Sequence, residues 1–554
     1  MFIYILLGIA FLLLLLLALF ALAVLKIPPK VPNLNQRDLK PIRVADDFYA
    51  INRNWIKKNT HGLWEMYIEG EPYERGLMNG MLASKLIYNQ EKFFVSEIKK
   101  KVTNKFYLFF LKLFVAWMNR KLNFYVGKEY NAEIYGVSRS ASPEFSAIGP
   151  AYIRILNYHA AHDIGHTLQY MNFVGCTSFA AWGSRSEDGM LVHGRNFDFH
   201  VGDEFSEEKI ITFYHPSEGS KFVMITWGGM IGTVSGMNIH GIVVTLNAAK
   251  SKLPSKSFTP ISILVREMLQ YATSIEQAVE IADKHRIFVS EAIHVSSGKE
   301  NSSIVIEKTP YDSAVYAPNG FELICTNHFQ SEKMKHDALN LKQINESSSM
   351  MRFKRMEELF GRHEKISVTA AISMLRDKKG VGDTIVGFGN EIAIDQLIAH
   401  HSVVFKPEVL KMWISAGPYC LGSYVCYDLN EIFHPNFDVK NHPEITVVQE
   451  LIPADALLFD GSYENYIRFK KIRLSLHEIK KPKIADRKLI DELIAINPDS
   501  YLSYWEAGDF YMRDKMYPKA IEMYIIALTK PIPTLKEKQT IEKNLNASQN
   551  KCKA

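Results

Sequence analysis

The sequence predicts an α+β layered core set between two helical ends. Three observations predict it. Residues 2–25 form an apolar run without a charge, short β-branched segments alternate with stretches of helical spacing from Cys176 to about residue 445, and the pattern past residue 490 is helical. Strands in groups with interposed helices make a layered α+β domain the economical way to bury both patterns.

The first element, Phe2 to Leu25, contains a single glycine and no charge. At about 1.5 Å per residue a helix of this length crosses a hydrocarbon core of about 30 Å, so the segment is expected to be a single-pass transmembrane anchor that stays in the mature protein. Ala21 and Ala23 offer a signal-peptide cleavage pattern, but the apolar region is too long and no Lys or Arg precedes it. Lys26, Lys30, Arg37, Lys40 and Arg43 favour a cytoplasmic flank. Large domains translocate regardless of charge, so the side of the catalytic domain stays open.

Pro28, Pro29, Pro32 and Pro41 mark an extended tether over residues 27–45. The sequence divides into an anchor (1–25), a linker and helical pro-region (26–175), a core (176–445), a linker (446–490) and a helical tail (491–554). The core strands are expected near Met190–His193, Lys221–Thr226, Ile242–Leu246 and Ser303–Ile306, with helices over 260–285 and 350–376. In the tail Tyr501, Tyr504, Ala507, Gly508, Tyr511, Ala520, Tyr524, Ala527 and Pro531 fall near the positions of one tetratricopeptide repeat. A lone repeat packs on its own protein or offers a site for a protein partner.

Composition narrows the function. With 47% hydrophobic and 23% charged residues the chain has ample core material, which excludes a disordered or fibrous protein. A net charge of +5 without a basic block excludes nucleic-acid binding as the main activity. The five cysteines, at 176, 325, 420, 426 and 552, lack the paired spacing of a structural zinc site. Cys420 and Cys426 would be able to pair in an exported domain. His159, His162 and His166 share a helix face, but without the adjacent glutamate of a zincin they read as polar packing, so no metal is expected there.

The chemistry concentrates in Asn172-Phe-Val-Gly-Cys176-Thr-Ser-Phe-Ala-Ala-Trp182-Gly and in Gly194-Arg195-Asn-Phe-Asp198 downstream. Gly70-Glu-Pro-Tyr-Glu-Arg-Gly76 lies upstream. Gly236-Met-Asn-Ile-His-Gly241 through Asn247, Thr326-Asn327-His328, Ser349-Met-Met-Arg352-Phe-Lys-Arg355, His401 through Pro407 and Trp413 through Gly417 follow in order. This ordered set, over about 65–430, resembles the N-terminal-nucleophile (Ntn) hydrolases of the acyl-coenzyme A:6-aminopenicillanate acyltransferase family, relatives of penicillin V acylase and bile salt hydrolase. The resemblance implies a four-layer αββα sandwich and a cofactor-free acyl transfer. It implies Cys176 as nucleophile, Arg195 and Asp198 as active-site partners, Asn247 in the oxyanion hole, Asn327 as the second active-site asparagine, and Arg352 or Arg355 as the last arginine, with Arg352 preferred.

The physics of such a site stands beside the name. A thiol needs a base, and the α-amino group of the cysteine itself, with a pKa near 8, serves once the preceding bond is cut. Autocleavage between Gly175 and Cys176 is therefore expected, with Gly175 supplying backbone freedom. Arg195 would lower the thiol pKa and Asp198 would hold the new amine. Cys325 reads as packing.

The expected function is a membrane-anchored, self-processing cysteine amidohydrolase or acyltransferase working on an N-acyl amide through an acyl-cysteine intermediate. The anchor would hold it near bilayer amphiphiles. The contrasting reading is a catalytically silent Ntn-fold scaffold that binds a partner through its tail.

Overall fold

Seventeen strands are formed by the residues that the computed structural model describes, namely 2–32, 39–102, 104–160, 175–199, 202, 204–250, 252, 254 and 256–553. In chain order they are β1 Ile42–Ala45, β2 Phe48–Ile51, β3 Asn54–Lys58, β4 Trp64–Gly70, β5 Thr177–Ala181, β6 Val192–Asp198, β7 Ile210–Pro216, β8 Phe222–Thr226 and β9 Ser235–Asn238. They continue as β10 Ile242–Ala249, β11 Ser290–Ser297, β12 Ser302–Lys308, β13 Ser313–Tyr316, β14 Glu322–Cys325, β15 Ala399–Lys406, β16 Lys411–Ser415 and β17 Tyr424–Asp428. An 11-stranded sheet has the order β1-β2-β3-β4-β7-β8-β9-β10-β11-β12-β13, and a 6-stranded sheet has the order β14-β5-β6-β15-β16-β17. The ladders are antiparallel except β4 beside β7, which is parallel.

Strand alternation builds the layers. In β10 the side chains of Ile242, Val244 and Leu246 join helices Pro72–Leu82, Lys128–Ser138, Ala151–His159 and Ile261–Tyr271 in one core. Val243 points the other way, into a second core where Ile211, Phe213, Val223 and Ile225 meet Val403, Phe405, Met412 and Ile414 of the smaller sheet. The far face of that sheet, with Phe179, Val404, Trp413 and Tyr424, packs on Met356, Phe360, Ile372 and Leu375 of helices Ser349–Gly361 and Val368–Leu375. Helix, sheet, sheet and helix layers therefore follow one another, an αββα sandwich. Each fully buried Ile, Val or Leu contributes roughly 1.5–3 kcal/mol.

The Gly70 to Gly76 motif has a packing role. Arg75 is fully buried and pairs with Glu133 at 2.9 Å and Glu129 at 2.8 Å. A Cβ on Gly76 would strike the Glu133 carbonyl, so glycine lets the two helices approach until the arginine reaches both carboxylates.

Three expectations change. The single-pass anchor over residues 2–25 is corrected: among the described residues no helix is long and apolar enough to cross a membrane. The segment carries a helix, Phe2–Val24, and it meets the body, Phe20 stacking on Trp117 with ring centroids 6.0 Å apart. The expectation rested on an apolar run counted along the sequence, and the described residues do not carry a span of that kind. Residues 42–70, read as linker and helical pro-region, form β1 to β4, with Trp64, Met66 and Ile68 alternating into the core. The tail forms helices Arg487–Ile496, Tyr501–Arg513, Tyr517–Thr529 and Leu535–Lys553, but a tetratricopeptide repeat as such is not shown and its partner-binding use has no support. Its apolar faces are spent internally, Ala507, Phe510, Ala520 and Tyr524 sharing a core with Tyr466, Phe469, Leu397 and Cys420.

Candidate active site

Cys176 stands immediately before β5 and is 1% exposed. Alternation sends Ser178 into the gap between the sheets and Thr177 toward the outer helices. In the β5–β6 ladder Ser178 is opposite Arg195 and Thr177 opposite Asn196. Arg195 thus lies on the inter-sheet face, its Nη2 3.7 Å from the Cys176 sulfur. Its two terminal nitrogens also donate to the Val234 carbonyl at 2.7 Å, the Ser235 hydroxyl and the Leu246 carbonyl, and the guanidinium covers the Phe197 ring at 4.6 Å. With both terminal nitrogens fixed, the charge cannot swing away from the sulfur.

Asp198, three positions along β6, faces the other way and takes different partners. Its Oδ2 accepts from Gln396 Nε2 at 3.2 Å, and its backbone carbonyl accepts the Gly175 N–H at 3.0 Å. Burial raises its carboxyl well above the usual range, with Arg352 and Arg195 opposing. Burial also raises the Cys176 thiol, which Arg195 only partly offsets. Arg195 thus lowers the thiol pKa as expected, and burial outweighs it in the uncut chain.

Arg352, on helix Ser349–Gly361, reaches across from the outer layer. Its Nη1 donates to the Cys176 carbonyl at 2.5 Å and to Thr177 Oγ1 at 2.8 Å, and its Nη2 donates to Asn327 Oδ1 at 2.6 Å. Arg355, one turn on, instead pairs with Asp377 at 2.8 Å, Glu358 at 3.0 Å and Asp383 at 3.0 Å. The two arginines, equivalent by spacing, are separated by direction: Arg352 enters the site and Arg355 leaves it.

Asn247 reaches the gap from the larger sheet. Its Oδ1 accepts from the Ser178 hydroxyl at 3.2 Å and its Nδ2 donates to the Cys325 carbonyl at 2.8 Å. Asn327 follows β14, with Nδ2 donating to the Ala248 carbonyl at 2.9 Å. Behind them His294 contacts Ser178 Oγ at 2.9 Å and Ser303 Oγ at 2.8 Å, its imidazole kept neutral by burial with a pKa lowered to about 3. The six expected side chains thus form one buried cluster at the converging ends of β5, β6, β10 and β14.

Two members were not read from sequence. Gln396 donates to the Gly175 carbonyl at 2.9 Å as well as to Asp198, and His294 holds Ser178. Gln396 sits in Ile394-Asp-Gln-Leu397 with no motif around it, and only a polar pair among apolar neighbours singles it out. Gly175 is not among the left-handed glycines, so the conformational reason expected for it is replaced by another. A Cβ there would lie 2.8 Å from Gln396 Nε2, and glycine leaves room for that amide.

Of the three histidines on the expected helix face, His162 and His166 lie outside the described residues. His159 packs as a polar core residue, Nδ1 against the Ile155 carbonyl at 2.8 Å and Nε2 accepting from Ile231 N–H at 3.0 Å. Cys325, Cys420 and Cys426 are separate buried thiols. An apolar pocket lined by Phe93, Phe94, Phe199, Phe205 and Trp227 opens beside the residue that follows Asp198.

Residues 184–417 match the family model described as acyl-coenzyme A:6-aminopenicillanic acid acyl-transferase, in agreement with the resemblance carried by the motifs. The chain is 26% identical over 242 residues to the N-acylethanolamine-hydrolyzing acid amidase of Caenorhabditis elegans, covering 41% of this chain and 65% of that protein. It is 25% identical over 274 residues to an uncharacterized protein of Archaeoglobus fulgidus, covering 46% of this chain and 45% of that one. The chain thus spans less than two thirds of the length of these relatives. Among solved structures, a Caenorhabditis elegans N-acylethanolamine-hydrolyzing acid amidase ortholog aligns with a TM-score of 0.31 and 19% identity, covering 42% of this chain and 93% of that one.

Proposed function

We propose, from the premise that residues 184–417 carry the acyltransferase family's pattern, that this chain is a self-processing cysteine amidohydrolase or acyltransferase acting on an N-acyl amide. One observation carries the reading: the Cys176 sulfur lies 3.7 Å from Arg195, whose two terminal nitrogens are both hydrogen-bonded, in a buried cluster whose other members are hydrogen-bond donors and an acid. A structural thiol needs none of these.

After scission of the bond before it, Cys176 carries its own α-amine as base. The amine takes the thiol proton, the sulfur adds to the amide carbonyl, and the carbonyl electrons move to oxygen. Asn247 Nδ2 is the proposed donor to that oxyanion, steadied by Ser178. The C–N bond then breaks, the departing nitrogen receives the proton, and a thioester remains on Cys176. Water hydrolyses the thioester, or an acceptor amine takes the acyl group. Arg195 is assigned to the thiolate, Asp198 to the α-amine, and Arg352, held by Asn327, to the backbone of the nucleophile.

The aromatic pocket lined by Phe199, the residue after Asp198, favours an apolar acyl group, and the Caenorhabditis elegans relative is named for hydrolysing N-acylethanolamines. The test is turnover of N-acylethanolamines, N-acyl amino acids and conjugated bile-acid amides by purified protein, with and without Cys176→Ala. Turnover lost in the variant supports the reading, and equal turnover in both ends the nucleophile assignment.

A further inference from the structure

The carbonyl oxygen that must become an oxyanion during self-cleavage already has a donor. Gln396 Nε2 lies 2.9 Å from the Gly175 oxygen, and the side chain is 1% exposed. We propose that Gln396 is the oxyanion donor of the processing step, a catalytic residue for scission of the Gly175–Cys176 bond distinct from Asn247, which serves the substrate. The inference rests on the self-processing reading given above.

Three independent features aim this amide. Its second contact, Asp198 Oδ2 at 3.2 Å, fixes the amide plane. Asp395 before it accepts the Leu397 N–H at 3.1 Å, while Leu397 after it adopts φ 54°, a left-handed conformation that a bulky side chain rarely takes. The helical tail closes over the same segment: Asn497 bonds Phe388 in both directions at 3.0 Å, and Asn390 Nδ2 donates to the Pro531 carbonyl at 3.1 Å. Such a position is held in advance, as electrostatic stabilisation requires. Gly175 completes the fit, since a Cβ there would occupy the space 2.8 Å from the donor nitrogen.

The step balances without a co-reactant beyond water. The Cys176 sulfur bonds the Gly175 carbonyl carbon, and the carbonyl electron pair moves onto the oxygen facing Gln396. The C–N bond breaks as the pair returns, and the thiol proton ends on the Cys176 nitrogen, now an amine. The resulting Gly175 thioester adds water and releases a Gly175 carboxylate and a free thiol. No redox change occurs.

The experiment follows conversion of full-length purified chains by intact mass for wild type, Gln396→Ala, Gln396→Glu, Gly175→Ala and the Gly175→Ala/Gln396→Ala pair. It then measures kcat per cut chain on an N-acylethanolamine. Removing the donor is expected to slow conversion on the order of 100-fold, and to slow it at least tenfold more than it lowers kcat. Gln396→Glu fills the same space without the N–H, so it should process as slowly as the alanine variant even if that variant folds poorly. Gly175→Ala should also process slowly, and the pair should be no slower than Gln396→Ala alone, because the methyl group then has no amide left to displace. Conversion of both Gln396 variants within threefold of wild type, equal losses in conversion and kcat, or multiplying effects in the pair would overturn the assignment. A wild type that turns over amides uncut would overturn the self-processing reading instead, a separate outcome.

Discussion

Arg352 and Cys176 are joined through the backbone, the guanidinium Nη1 lying 2.5 Å from the carbonyl oxygen of the cysteine. The same side chain holds Asn327 Oδ1 at 2.6 Å, so one arginine from the outer helix layer fixes two groups of the inner cluster. Lysine cannot reproduce that fork. Arg352→Lys should lower kcat/KM on the order of 100-fold or more. Arg355→Gln should leave the rate within a few-fold and instead cost about 1–3 kcal/mol of stability, since it abandons carboxylates outside the cluster. Kinetics and denaturant titration of the two variants check the contrast.

Asn247→Ala removes the proposed oxyanion donor of turnover and should reduce kcat on the order of 100-fold with little change in KM. Ser178→Ala, which removes the donor to Asn247 Oδ1 and leaves the amide held only through Nδ2, should produce a smaller loss in the same parameter. A fall confined to KM would mean that Asn247 binds substrate and leaves the transition state alone.

The acyl pocket predicts a chain-length effect. Trp227→Ala should raise KM for long-chain amides about tenfold, the worth of one lost aromatic contact, while an acetyl amide is turned over as before. Parallel KM losses on both substrates would remove the pocket from the acyl-binding reading.

His159 gives a pH dependence with a definite sign. Its imidazole is fully buried, and its pKa is lowered from 6.5 to about 4, mainly by desolvation. In the folded protein Nε2 accepts the Ile231 N–H, which only the neutral ring can do. Because the folded pKa is depressed, the stabilising contribution is complete above about pH 6.5 and is lost as pH falls toward about 4. Between pH 7 and pH 4.5 wild type should lose about 2 kcal/mol more stability than His159→Gln. Guanidinium titrations at the two pH values measure the difference, and equal losses would contradict the assigned contact.

Much of this was legible before the structure. The strands at β8, β10 and β12 follow from β-branched runs bounded by Gly and Asn, and the six candidate side chains that the fold brings together come from ordered motifs between residues 175 and 355. What escaped is what chain order does not encode. β1 to β4 precede the nucleophile but complete the larger sheet through the parallel contact of β4 with β7, a pairing across more than a hundred residues. Gln396 is brought to Gly175 by a loop with no local signature. The choice between Arg352 and Arg355 needed direction as well as spacing, and the anchor was inferred from an apolar count that the described residues do not sustain.

The proposed mechanism requires that Cys176 cut the chain before it works on substrate. The most direct measurement is intact mass of purified wild type and Cys176→Ala, with N-terminal sequencing of the larger piece. Self-processing should yield fragments of roughly 20 and 43 kDa from the 63.3 kDa wild-type chain. The larger should begin Cys-Thr-Ser-Phe and the fragments should remain associated, while Cys176→Ala stays whole. A wild type that remains one chain and still turns over N-acyl amides would contradict it, because an uncut Cys176 has no α-amine to act as base.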